Sequence, residues 1–121
     1  MYIRLLEPKF SVCKLKAGAK IPYDEEFVFT GKTDEELSLV CPENMVPDHF
    51  LEREDGWRGF RIEGVLDFSM IGVIAKLSKL LAEHEVGIFV ISTFNTDYVF
   101  VKEENWKKTV ATLKTNGYGI R

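Results

Sequence analysis

The sequence predicts an α+β fold: a mostly β first half, then a second half reading strand, helix, strand, strand, helix, strand. Three observations predict it. The first half contains only short apolar runs, each cut off by Pro, Gly or a charged stretch. One segment from Met70 onward repeats its apolar residues at helical spacing, and a second does so before Gly117. Between them, two apolar runs flank a single polar turn, residues 92–97.

In the first half the strand-like runs are residues 2–6, 10–15, 27–30 and 37–41. They are divided by Pro8, Gly18, the stretch around Pro22 and the charged residues 31–36. Residues 47–56 are highly charged and end in Gly56, so they are expected to divide an N-terminal half, 1–56, from a C-terminal half, 57–121. From Phe60 onward, large apolar and polar residues alternate as in a half-buried strand.

A helix is expected from Met70 to about His84. Lys76, Lys79 and Glu83 fall on one narrow wet face, and Ile71, Val73, Ile74, Leu77, Leu80 and Leu81 cover most of the rest. So narrow a wet stripe predicts cover from more than one side. Residues 86–91 are nearly all apolar, which fits a central strand buried on both faces. The next strand, 98–101, is reached through Asn95, Thr96 and Asp97. A second helix over 103–116 opens on Glu103 and Glu104 and carries Lys114 near its end, complementing the helix dipole. Trp106, Val110 and Leu113 form its buried stripe, Gly117 is its stop, and residues 118–121 supply a last edge strand. This β-α-β-β-α-β order is the ferredoxin-like arrangement.

With 121 residues, 45% apolar and 29% charged, the chain is ordinary globular protein, one compact unit or two very small ones. No apolar run approaches the roughly 18 residues a membrane span needs, and the apolar start is too short for a signal peptide. A cytoplasmic protein is the expectation, with Cys13 and Cys41 as buried free thiols. The net charge of −3 is uneven: residues 1–56 hold 7 Lys and Arg against 12 Asp and Glu, residues 57–121 hold 9 against 7. Neither half offers the concentrated basic face that nucleic acid requires.

These segments resemble the ACT domain, the βαββαβ module that binds amino acids in regulated biosynthetic enzymes such as aspartate kinases. More closely, they resemble short bacterial proteins that join an ACT-like N-terminal half to a full ACT domain. The resemblance rests on residues 33–42 in the first half. In the second it rests on Trp57, residues 64–68, Gly72, residues 88–97 and residues 98–102. The cytosolic arginine sensors of animals are similar over the same segments. The departure lies near residues 21–27, where the usual helix of the first half is not evident. The resemblance implies a non-catalytic regulatory module that binds an amino acid or similar metabolite, works as a homodimer and needs no cofactor.

Two turns are the candidate ligand site. In the first, Leu66, Asp67, Phe68, Ser69, Ile71 and Gly72 join a strand to a helix, where unpaired backbone N–H groups suit a carboxylate. In the second, Ser92, Thr93, Phe94, Asn95 and Asp97 set polar groups around one aromatic, with Asp97 suited to an ammonium group. Both follow strands that a crossover helix makes parallel, so they are expected on one edge. The plainer readings are that Asp67 and Ser69 only cap the helix and that the second turn is solvated. In the resembling arginine sensors this second segment helps to wall the pocket.

Other chemistry has little support. His49 and His84 have no partner at metal-ligand spacing, and no nucleophile elbow, P-loop or Cys-x-x-Cys occurs. Two rival functions remain: a pairing module without ligand, which the broadly apolar first helix fits equally well, and RRM-like RNA binding. The latter rests on Tyr98 and Phe100 alternating along one strand as stacking aromatics do.

Overall fold

A computed structural model, described for residues 1–63 and 72–121, contains eight strands and two α-helices in a mixed α+β fold. The strands are β1 (Tyr2–Leu5), β2 (Phe10–Leu15), β3 (Phe29–Lys32), β4 (Leu37–Pro42), β5 (Phe50–Glu63), β6 (Ile88–Ser92), β7 (Asp97–Lys102) and β8 (Gly119–Ile120). The helices are α1 (Val73–Glu83) and α2 (Trp106–Thr115). The chain divides into two compact units, Pro8–Trp57 and Met1–Glu7 with Arg58–Arg121.

The unit Pro8–Trp57 is an antiparallel sheet in the order β3-β4-β2-β5. Residues 21–27, where the usual helix was not evident, contain turns and bends and no helix. Cys13, Leu15, Leu39 and Cys41 make its core, with Ile21, Val28 and Met45 packed against them. Both cysteines are free and buried. Burial dominates their chemistry, pushing the Cys41 thiol up to about 11.

The charged residues expected at the division between the halves form the start of β5. Glu52, Arg53 and Glu54 pair with Lys14, Cys13 and Val12 of β2. Residues 50–55 are all exposed, so their charged side chains stay in water while the backbone pairs with β2. Glu43 and Asp55 tie the segment down: Glu43 Oε2 accepts the Gly56 N–H, and Asp55 accepts both Ser11 Oγ–H and Arg53 Nε–H.

In the second unit the strand order is β6-β7-β5-β1-β8. This is the ferredoxin-like plan with one change. The strand β1, which begins the chain, lies between β5 and β8, antiparallel to the first and parallel to the second. The core is Ile3, Phe60, Ile62, Leu77, Leu81, Val86, Val99, Val101 and Leu113. Leu77 and Leu81 are four residues apart on α1 and fully buried, each contributing about 1.5–3 kcal/mol relative to exposure.

Several expectations change here. The α1 helix starts at Val73, with its N-cap at Gly72 in the left-handed region, φ 84°. Its wet face is wider than expected, since Ala75 and Ala82 are exposed beside Lys76, Lys79 and Glu83. The β6 strand is not buried on both faces. Among the described residues it pairs with β7 alone and is half-buried from Ile88 to Ile91, because it stands at the edge of its sheet. On α2 the fully covered positions are Thr109, Thr112 and Leu113, while Trp106 and Val110 are half-buried. Thr109 enters the core because its hydroxyl donates to Asn105 O at 2.8 Å. Gly117, φ 89°, ends the helix as expected, and Tyr118 N–H reaches back to Leu113 O.

Candidate functional site

The β6–β7 hairpin turn is built by Thr93 and Thr96. Thr93 N–H donates to Thr96 O at 2.9 Å, and the Thr93 hydroxyl donates to the same oxygen at 2.9 Å. Phe94 and Asn95 are the two residues at the tip. The Thr96 hydroxyl then donates to Ile62 O at 2.6 Å, next to the last residue of β5. The second candidate turn is thereby pinned beside the end of the strand that leads into residues 64–71.

Of the residues singled out from sequence, Leu66, Asp67, Phe68, Ser69 and Ile71 lie outside the described residues. Gly72 is exposed at the N-terminus of α1, and its carbonyl accepts the first helical bond, from Lys76 N–H at 2.8 Å. The N–H groups of Val73, Ile74 and Ala75 precede that bond and have no acceptor within the helix. Ser92, Thr93 and Asn95 are exposed, and Asp97 is half-buried opposite Ser92. Phe94 stands wholly in solvent, at 104% of its reference exposure.

An ionic strip at the same end of β5 was not anticipated. Glu63 accepts Arg4 Nε–H at 2.8 Å and lies 3.4 Å from Arg61 Nε, while Arg61 Nη1–H donates to the Tyr98 hydroxyl at 3.4 Å. The Arg4 hydrogen bond, with Arg61 behind it, holds the Glu63 carboxyl below the usual carboxylate range. The signal in the sequence was the Arg61–Glu63 alternation, but its partner Arg4 arrives through the β1–β5 pairing.

A groove of about 600 Å³ runs along α1, lined by Val73, Lys76, Leu80 and Glu83 on one side and by Met1 and Tyr118 on the other. The helix's wet stripe is one wall of it. His84 behaves as its position suggests, with Nδ1 2.9 Å from Leu80 O. Among the described residues no three His, Cys, Asp or Glu side chains gather as metal donors, and no helix is long and apolar enough to cross a membrane. Phe100 is fully buried and stacked on Phe89 with centroids 4.8 Å apart, so it offers no open platform for a nucleobase.

The comparisons with known proteins agree with this architecture. The sequence model of the ACT domain family matches residues 52–115, and a model of an N-terminal domain found in similar proteins matches residues 8–49. A crystal structure of a protein from Agobacterium tumefaciens is similar over 99% of this chain and 91% of its own, with 28% identity and a TM-score of 0.86. The regulatory subunit of aspartate kinase from Thermus thermophilus shares the fold at 9% identity and a TM-score of 0.67, over 95% of this chain and 96% of its own. Aspartate kinase from Clostridium acetobutylicum shares it at 14% identity and a TM-score of 0.68, over 93% of this chain and 34% of that one. ACT domains are regulatory modules that bind small molecules. With more than half of its length matched by their family model, this chain belongs to the ACT domain family.

Proposed function

We propose that the chain binds an amino acid or similar small metabolite at the edge where β5 ends, α1 begins and the β6–β7 turn projects. The observation that carries this reading is the Thr96–Ile62 hydrogen bond, which keeps the polar turn against the end of β5. Asp97 receives the ammonium group, Ser92, Thr93 and Asn95 supply neutral hydrogen bonds, and backbone N–H groups around Ile71 and Gly72 take the carboxylate. Ligand binding biases a homodimer or a partner enzyme between two arrangements, in proportion to its differential affinity for them. The protein works in the cytoplasm and its role is regulatory rather than catalytic.

A thermal-shift screen of the purified chain against the twenty amino acids tests this. A ligand at one hundred times its dissociation constant adds about 2.7 kcal/mol, a rise of several degrees for a protein of this size. Asp97→Ala is expected to abolish that rise while leaving the ligand-free melting temperature within a degree or two. Silence across the panel, or an unaltered response in the variant, would remove the amino-acid reading. A second reading, a pairing module without ligand, is favoured by the open apolar edge of β6.

A further inference from the structure

A row of three arginines crosses the sheet of the second unit. Arg4 of β1 is the direct partner of Arg61 of β5. On its other side β1 runs parallel to β8, with Tyr2 beside Gly119 and Ile3 beside Ile120. Arg121 continues that register, because its N–H donates to Ile3 O and its carbonyl accepts Leu5 N–H, the two bonds that bracket Arg4. All three side chains lie on the face turned away from the helices. Ile3, Ile62 and Ile120 alternate with them and enter the core shared with Leu77, Leu81 and Leu113. On the arginine face, Arg4 and Arg61 both reach Glu63, and the Arg121 guanidinium stands 3.8 Å from the centre of the Tyr2 ring.

Such a row works against the fold. Like charges directly opposite each other on adjacent strands destabilise a sheet, and one carboxylate, Glu63, serves two of these three guanidinium groups. Three arginines against one glutamate leave an excess of two positive charges, on a chain whose net charge is −3. Glu63 meets both partners through Nε, at 2.8 and 3.4 Å, rather than through the terminal fork, and Arg61 Nη1 donates to the Tyr98 hydroxyl. Among the described residues, both Nη groups of Arg4 and of Arg121, and Nη2 of Arg61, meet no acceptor. Arg4 and Arg121 are exposed and Arg61 is half-buried, so the row is open to a ligand. It is also held in position. A Cβ at Gly119 would fall 2.5 Å from Tyr2 Cδ1, so the bare glycine lets the Tyr2 ring lie across β8, where it carries the Arg121 guanidinium.

We propose that this face binds a small molecule carrying two or more linked phosphoryl groups. A guanidinium group stays charged at any working pH, and its planar donors match phosphate oxygens two at a time. Neighbouring strands are about 4.8 Å apart, so the three groups span roughly 10 Å. Successive phosphoryl groups of one chain can each meet a fork along that span, whereas the single carboxylate of an amino acid meets only one. A row three residues wide is too short to track a nucleic-acid backbone, which favours a compact polyanion. A nucleoside triphosphate and inorganic polyphosphate share this chemistry. The site goes beyond the metabolite reading and uses none of its residues.

Isothermal titration calorimetry of the full chain, at constant ionic strength and without amino acids, tests this with tripolyphosphate, adenosine triphosphate and orthophosphate. Tripolyphosphate is expected to bind saturably and at least about ten-fold more tightly than orthophosphate. Tighter binding of adenosine triphosphate than of tripolyphosphate would mark a nucleotide as the source of the phosphoryl groups, and the reverse would mark inorganic polyphosphate. Arg4→Gln and Arg121→Gln are each expected to weaken tripolyphosphate at least about ten-fold. Lys108→Gln removes the same charge from an exposed position on α2 and should leave binding unchanged. If circular dichroism shows Arg4→Gln misfolded because Glu63 has lost a partner, Arg121→Gln decides, since it leaves both Glu63 ion pairs in place. No saturable binding, binding no tighter than that of orthophosphate, or an equal loss in Lys108→Gln would overturn the proposal.

Discussion

The hydroxyl of Thr96 is the most informative atom to remove. It donates to Ile62 O at 2.6 Å from a part-buried position and is the bond that ties the β6–β7 turn to the end of β5. Thr96→Val preserves shape and deletes the donor. A neutral hydrogen bond contributes about 1 kcal/mol net, and the Ile62 carbonyl left behind adds up to about 1 kcal/mol, discounted here because water reaches the turn. The expected loss is therefore about 1–1.5 kcal/mol, or roughly 3–6 °C in Tm for a protein of this length. Urea denaturation followed by tryptophan fluorescence gives the free energy, and amide exchange of Thr93 and Thr96 reports whether the turn loosens locally. Thr96→Ser should recover most of the loss. A Thr96→Val protein within about 0.3 kcal/mol of the parent, with unchanged exchange in the turn, would refute the claim that this bond positions it.

Two further predictions concern the frame around the site. A Cβ at Gly59 would sit 2.9 Å from Phe100 Cε1 and 3.3 Å from Leu6 Cδ1, and Phe100 is fully buried and stacked on Phe89. Gly59→Ala should cost about 1–3 kcal/mol by urea denaturation, and Phe100→Leu in that background should return part of it; a neutral Gly59→Ala would contradict the packing. Burial raises the Cys41 thiol from 9.0 to about 11, so the folded state holds its proton over that interval while the unfolded chain releases it. Stability from this source is intact below pH 9 and declines as pH rises toward 11, and Cys41→Ala should flatten the slope of Tm against pH over that range. Rapid thiol labelling of the native protein at pH 8 would show the burial to be incorrect.

Much of this molecule was legible in its residues because local rules govern much of it. The short apolar run of β2, the helical spacing of Leu77 and Leu81, and Gly117 at the end of α2 each record a local requirement, and the structure meets them. What local patterns cannot record is which strand lies next to which. An apolar run such as residues 88–91 reads alike at the centre of a sheet or at its edge, and only the neighbours of β7 reveal that it is an edge. Likewise, nothing in residues 2–5 announces that they enter between β5 and β8. Charge misled in the opposite direction: Glu52 to Asp55 reads as a solvated link, yet a strand whose side chains face water accommodates such residues. At the candidate site, five polar residues in one turn drew attention to 92–97, but the contribution of Thr96 depends on a carbonyl thirty-four positions earlier.

The central claim is that a small metabolite binds where the β6–β7 turn meets the end of β5. The most direct measurement is a two-dimensional amide NMR titration of the labelled chain with each amino acid in turn. The account predicts one ligand class whose saturable shifts centre on Gly72 and on Ser92 to Asp97, and which Asp97→Ala suppresses. Saturable shifts confined to another surface, or none from any amino acid, would contradict it.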